Sequence, residues 1–124
     1  MKAQRWPTEL RLSKDKRMLR IAFDDGSAYD LAAEYLRVMS PSAEVQGHSA
    51  SERKTVPGKQ NVEIIGVEPV GNYAVKLVFD DMHDTGIYGW DYFYELGANH
   101  DDRWRNYLAE LDAKGLSRDP SRRR

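Results

Sequence analysis

Tyr73-Ala74-Val75-Lys76-Leu77-Val78-Phe79 is the most regular stretch of the sequence. Tyr73, Val75, Leu77 and Phe79 alternate with Ala74, Lys76 and Val78, the period at which a strand sends every second side chain to one face. Such a strand needs hydrogen-bonding partners on both flanks. Upstream, Val62, Ile64 and Val67 lead into Glu68-Pro69-Val70-Gly71-Asn72, where the proline and the Gly-Asn pair supply the restricted and positive φ values of a turn. Downstream, the acidic run Asp80 to Asp84 leads to a short strand around Ile87-Tyr88.

The same order of signals fills Glu9 to Leu31. Leu10 and Leu12 alternate with polar neighbours, Lys14-Asp15-Lys16 turns the chain, and Leu19, Ile21 and Phe23 alternate in their turn. Asp24-Asp25-Gly26-Ser27 makes a second tight turn, since glycine takes positive φ freely, and Ala28 to Leu31 returns as a third strand. Ile21-Ala22-Phe23-Asp24-Asp25 and Leu77-Val78-Phe79-Asp80-Asp81 therefore echo one another. Each leads to a strand with a tyrosine, Tyr29 or Tyr88, and then to a helix, the pattern of two similar halves in one sheet.

Three helices follow from cap and stripe signals. Asp30 is the expected N-cap of a helix over 32–38, stopped by Pro41, which pushes Ser40 out of the α region. Trp90, Phe93 and Tyr94 mark an inward stripe of a helix over 90–96 that ends at Gly97. In the last helix Asn99 is the expected N-cap, Asp101 and Asp102 favour the positive end of the dipole, Trp104, Tyr107, Leu108 and Leu111 form the buried stripe, and Gly115 closes it. Residues 41–60 hold few large apolar side chains and no assignable element. The expected fold is α+β: a small, antiparallel-rich sheet built from hairpins with two or three short flanking helices.

The 124 residues fit one domain, and a chain of that size buries about 65 to 70% of its unfolded surface. The domain is expected over 1–116, with 117–124 as a solvated, arginine-rich tail. Absence of cysteine removes disulfides, thiolate metal sites and cysteine nucleophiles, and agrees with a reducing cytoplasm. The 19 basic and 20 acidic residues leave a net charge of -1, so no global field draws in nucleic acid or an anionic membrane. No long apolar run marks export or membrane insertion.

The chemistry-bearing residues are few. His83 stands among Asp80, Asp81 and Asp84, hard ligands that would suit iron, zinc or manganese if His48 brought a second imidazole. Ser40 and Ser42 lack the Gly-x-Ser-x-Gly setting of a serine nucleophile and read as turn and cap residues. His100-Asp101-Asp102 is explained by the helix dipole. Phosphate-binding glycine motifs are absent. The aromatic run from Tyr88 to Tyr94 reads mainly as core, with Trp90 and Tyr92 left to line a groove. No cofactor is required by any of these residues.

Glu34-Tyr35-Leu36-Arg37-Val38-Met39-Ser40-Pro41-Ser42-Ala43-Glu44-Val45-Gln46-Gly47-His48 resembles a block of the DUF971 family, also described as gamma-butyrobetaine hydroxylase-like N-terminal domains. Val67 to Val75 and His83 to Tyr92 resemble its other blocks, so the likeness spans about residues 7 to 97. The resemblance implies the same small antiparallel-rich sheet with flanking helices. In the carnitine-synthesis hydroxylases it implies a structural zinc on three cysteines and a histidine. The matching positions here are Ser40, Ser42, Val45 and His83, which lack the thiolates. Similar domains occur fused to P-loop ATPases that carry iron-sulfur clusters, which implies protein docking or metal trafficking. The expected partner-binding residues are Ser40, Pro41, Ser42, Glu44 and His48, with Asp84, Trp90 and Tyr92 beside them. The alternative expectation is a divalent metal, iron among the candidates, on His48 and His83.

Overall fold

The structure, a computed structural model, describes residues 5–47 and 54–120. The chain forms β1 (Pro7–Leu12), β2 (Met18–Phe23), β3 (Ala28–Ala32), α1 (Ala33–Val38), α2 (Ala43–Gln46), β4 (Ile64–Val70), β5 (Ala74–Phe79), β6 (Gly86–Gly89), α3 (Trp90–Ala98) and α4 (His100–Ala113). The class is α+β and the strands are antiparallel hairpins, as their period-2 patterns require. Among the described residues they form two three-stranded sheets rather than one, β1-β2-β3 and β4-β5-β6, and four helices accompany them. Each third strand passes directly into a helix, Ala32 to Ala33 and Gly89 to Trp90.

The sequence echo is a structural repeat. Pro7, Leu10 and Leu12 face Phe23, Ile21 and Leu19 with a register shift between Pro7 and Glu9. Ile64, Val67 and Pro69 face Phe79, Leu77 and Val75 with a shift between Ile64 and Gly66. The bulge therefore recurs at the same place in both hairpins, where it bends the strand. In the third strands, Ile21 faces Tyr29 and Leu19 faces Leu31, while Leu77 faces Gly86 and Val75 faces Tyr88. Register thus equates Tyr88 with Leu31 and Gly86 with Tyr29, which corrects the pairing of the two tyrosines suggested by sequence alone.

The repeat extends into the helices. Tyr35 and Tyr92 are each the third residue of their helix. The Tyr35 hydroxyl donates to the Leu96 carbonyl, and the Tyr92 hydroxyl donates to the Met39 carbonyl. Leu96 lies four residues after Tyr92 and Met39 four after Tyr35, so the halves exchange equivalent hydrogen bonds. One core joins them: Leu19, Ile21, Leu36, Ile64, Leu77, Phe79, Phe93 and Leu96 are all fully buried. Burial of each such side chain is worth about 1.5–3 kcal/mol relative to exposure.

Several local expectations are corrected. Asp30 pairs with Arg20 at 3.2 Å and does not cap α1. Ala32 occupies the N-cap position without a side-chain bond, because the preceding strand already sets the entry of the chain. α3 runs through Gly97 to Ala98. Glycine is needed there for space, since a Cβ would fall 2.3 Å from the Tyr29 ring. Asn99 does occupy the N-cap position of α4, but its side chain makes no capping bond and donates back to Glu95 O at 3.2 Å. Leu108 is exposed, whereas Tyr107 and Leu111 are buried. Tyr73 belongs to the turn and is exposed, so its strand begins at Ala74. Residues 41–60, read as featureless, contain α2. The stretch 117–120 is not a solvated tail either. Ser117 and Arg118 accept backbone hydrogen bonds from Gly58 and Gln60 at 2.9 and 3.1 Å, and Arg118 forks onto the buried Glu34 at 2.7 and 2.8 Å. Residues 121–124 lie outside the described residues.

Candidate functional site

The turn between β5 and β6 meets the segment that leaves α1. Phe79 N–H donates to His83 O at 3.0 Å and Met82 N–H to Phe79 O at 3.2 Å. Asp81 Oδ1 accepts from His83 N–H at 3.1 Å. This closed turn sends the His83 side chain inward, where it is only 2% exposed. Its Nδ1 lies 3.0 Å from Glu44 Oε1 and its Nε2 lies 2.9 Å from Ser40 Oγ. A carboxylate only accepts, so Nδ1 carries the proton and Nε2 accepts from the serine hydroxyl. Burial, aided by the Arg37 guanidinium, lowers the His83 pKa against the opposing pull of Glu44, which favours this neutral ring.

The chain of hydrogen bonds continues. Ser40 Oγ accepts from Ser42 N–H at 3.2 Å. Ser42 Oγ caps α2 by accepting from Glu44 N–H at 3.2 Å, and it pairs with Thr85 Oγ1 at 2.7 Å. Gln46 Nε2 donates to Ser40 O at 2.8 Å. Gly86 makes room for this packing, because a Cβ there would lie 2.5 Å from Ser40 Oγ. Asp81 holds the other side of the turn: its Oδ2 accepts from Lys59 Nζ at 2.6 Å and Arg37 Nε at 2.8 Å. Burial pushes this carboxyl up, yet the hydrogen bonds from Lys59 and Arg37 outweigh it and hold its pKa at about 2. Among the described residues, Arg37 Nη1 is buried with no hydrogen-bond partner, a feature that costs about 1–3 kcal/mol.

Serine hydroxyl, imidazole and carboxylate therefore stand in the order and spacing of nucleophile, base and orienting acid. Sequence motifs gave no sign of it, because 43 residues separate Ser40 from His83 and only the repeat's geometry brings them together. Ser40 is fully buried. The triad ties α2 to the second sheet.

The residues expected to meet a partner divide by exposure. Ser40, Ser42 and Trp90 are buried, and Trp90 donates its indole N–H to Asn72 O at 3.0 Å. Their roles are internal. Pro41 and Tyr92 are half-buried, while Glu44 and Asp84 are exposed. His48 lies outside the described residues. Pro41 and Tyr92 line a cleft of about 450 Å³ with Met39, Gln46, Arg103 and Tyr107, a setting the sequence reading approached through Tyr92 without the α4 residues. Their signal was faint: Arg103 follows the acidic first turn of α4 and reads as a solvated charge.

The positions that the resemblance assigns to zinc do converge, since Ser40, Ser42 and His83 are hydrogen-bonded neighbours and Val45 sits in α2. The donor set does not fit zinc. Two neutral hydroxyls and a valine replace the thiolates, and both imidazole nitrogens are engaged. Among the described residues, no group of three or more His, Asp or Glu is placed to hold a metal ion. No helix of the described residues is long and apolar enough to cross a membrane.

Twin β-hairpin sheets, each delivering its third strand into a helix, with a polar knot between the second turn and the post-α1 segment, define the class of this small α+β domain. The chain belongs to the family described as gamma-butyrobetaine hydroxylase-like, N-terminal, which it matches over residues 10–94. It is similar to a protein solved by NMR in solution, with 49% identity, TM-score 0.84, and coverage of 98% of this chain and 95% of that one. A second NMR structure shares 50% identity over 97% of this chain and 92% of its own, with TM-score 0.80. A crystal structure of a protein of unknown function from Acidithiobacillus ferrooxidans, assigned to the DUF971 family, shares 38% identity over 74% of this chain and 92% of its own, with TM-score 0.62. No curated protein matches the sequence.

Proposed function

We propose that this protein is a non-catalytic docking module that binds a protein partner in the cytoplasm, and that the partner seats in the cleft beside Pro41 and Tyr92. The observation that carries this reading is the set of buried polar groups that hold the loop lending Pro41 and Gln46 to the cleft wall. Ser40, Ser42 and His83 fix the Pro41 to Gly47 segment by side-chain hydrogen bonds, although a hairpin turn of the same backbone closes in the first half without them. Rigid presentation of a short loop lowers the ordering cost of association. The cleft combines a methionine, a proline and two tyrosines with the cation of Arg103, the mixture of aromatic and arginine character enriched in binding surfaces.

Affinity capture from the native cell with chemical cross-linking tests this reading. Asn106 is exposed and lines the cleft, so Asn106→Arg is expected to abolish capture of a partner that the wild type retains. Arg105→Gln, on an exposed neighbouring position, is expected to leave capture intact. A partner held equally by wild type and Asn106→Arg, with its cross-links elsewhere, refutes the cleft as the docking surface.

A further inference from the structure

The internal repeat provides a reference for the outward faces of the two sheets. Register sets Glu9, Arg11, Arg20 and Asp30 of the first sheet level with Gly66, Glu68, Lys76 and Ile87 of the second. On the first sheet all four are charged and tied together. Arg20 pairs with Glu9 at 3.4 Å and with Asp30 at 3.2 Å, and Arg11 pairs with Glu9 at 3.3 Å. An antiparallel sheet whose outer face meets water is built in this way.

The second face is built differently. Glu68 and Lys76 form a cross-strand pair at 3.3 Å, but Ile87 stands in the place of Asp30 and is 48% exposed. Ile65, the extra residue at the bulge, stands in the place of Thr8 and is 53% exposed. Val78, on the strand between them, is half-buried. Gly66 lets it lie against the backbone of β4, since a Cβ there would fall 3.3 Å from Val78 Cβ. Single exposed apolar residues are ordinary on a protein surface. Here Ile65, Val78 and Ile87 occupy three neighbouring strands of one sheet, and the first sheet shows that such a hairpin closes with charges in their place.

From this we infer that the outward face of the second sheet is a self-association surface, covered by the same face of a second copy of this chain about a two-fold axis. The Glu68–Lys76 pair is self-complementary: a two-fold axis beside it sets each lysine against the other copy's glutamate. The isoleucines and Val78 then exclude water around the charges. A net charge of -1 puts little long-range repulsion between two copies. The face is small, since strand spacing and rise give it roughly 15 by 20 Å, well under the ~800 Å² that each partner of a standard interface buries. Association is therefore weak and reversible. The face shares no residue with the cleft beside Pro41 and Tyr92, so it is a second surface, independent of the docking reading.

Sedimentation equilibrium of the full chain up to about 1 mM, where a weak dimer is populated, is the test. The wild type is expected to rise from the mass of one chain towards that of two, with concentration-dependent amide shifts at Ile65, Lys76 and Ile87. Ile87→Asp supplies the residue type that the first sheet carries, and is expected to weaken the dimer about tenfold or more, because a carboxylate must then be desolvated at the contact. Charge reversal distinguishes a second copy from any other contact. Glu68→Lys and Lys76→Glu are each expected to associate more weakly alone, and a one-to-one mixture of the two to recover the wild-type affinity, because opposite faces then meet. The mixture decides the question if Ile87→Asp fails to fold. A wild type that keeps the mass of one chain at the highest concentration overturns the inference and leaves the face to a different protein. Shifts centred away from the second sheet overturn it too, as does a mixture no tighter than its components.

Discussion

The two acidic turns have nearly the same backbone and different surroundings. In Phe23-Asp24-Asp25-Gly26-Ser27 and Phe79-Asp80-Asp81-Met82-His83, the phenylalanine N–H donates to the carbonyl of the fifth residue at 2.8 and 3.0 Å. The second aspartate accepts from the N–H of that fifth residue at 2.9 and 3.1 Å, and the fourth residue has φ of +89° and +75°. The first turn is exposed and ends in a serine. Its counterpart buries a histidine, pins an arginine and a lysine with its aspartate, and receives the segment after α1. The hairpin itself needs none of that second set, so the extra polar groups serve the tertiary junction and the surface it presents.

Gly86 is where that junction is tightest. Its register equivalent in the first half is Tyr29, whereas a single methyl at position 86 meets Ser40 Oγ at 2.5 Å and Tyr88 at 3.0 Å. Gly86→Ala is expected to lower the unfolding free energy by about 2–3 kcal/mol in denaturant melts, as overpacking does. If the variant is as stable as wild type, the junction is looser than described.

Exchanging the two turn aspartates sharpens the contrast. Asp81→Asn leaves Arg37, whose side chain is 12% exposed, without its carboxylate, and a loss of about 2 kcal/mol is expected from a largely buried charge left unpaired. Asp25→Asn, on the solvated turn, should leave the midpoint close to wild type. Equal effects of the two substitutions would remove the distinction between the turns.

Acid should report the same asymmetry in two separate windows. The His83 pKa is lowered in the folded protein from 6.5, so the unfolded chain takes up the proton first. Stability is therefore full above the unfolded value and falls as pH drops from about 6.5 to the folded pKa. Asp81 is depressed from 3.8 to about 2, so its contribution is present above 3.8 and is lost as pH falls towards 2. Stability curves measured against pH should show both windows in wild type, with His83→Asn removing only the upper one. An unchanged upper window in that variant would assign it to another group.

The smallest effect comes from the positive-φ residue of the second turn. Met82 holds φ +75° and is 89% exposed, so Met82→Gly should raise stability by about 0.5–1 kcal/mol, since glycine enters this region without the steric cost. Gly26→Ala should lower it by about 1 kcal/mol, because nothing lies within 4 Å of the added Cβ and only the backbone objects. Thermal melts of the pair would show opposite signs. Shifts of the same sign would break the equivalence of the turns.

What was legible in the sequence was local. Alternation in Leu19 to Phe23 and Val75 to Phe79 is written in neighbouring residues, as are the turns at Gly26 and Gly71 and the helix stop at Gly115. The echo of Phe-Asp-Asp was visible, but its register was not: one residue is inserted before Gly86, and Tyr29 and Tyr88 stand at different register positions of their strands. Asp30 and Asn99 were natural caps by type, yet each found another partner, Arg20 or the Glu95 carbonyl, once the chain was folded. The site was legible only as a list of types. Ser40 and His83 were both singled out, whereas their contact depends on the packing of α1 against the second sheet, and the share of the cleft contributed by Arg103 and Tyr107 depends on α4 crossing it.

Amide hydrogen exchange of wild type and His83→Ala tests most directly whether the Ser40, His83 and Glu44 contacts hold the Pro41 to Gly47 segment. Val45, Gln46 and Gly47 donate to Ser42 O and Ala43 O at 2.9 to 3.0 Å, and the account predicts that these three amides lose at least about tenfold in protection while Leu19 and Ile21 in the first sheet change little. Unchanged protection at 45–47, or an equal loss in both regions, would contradict it.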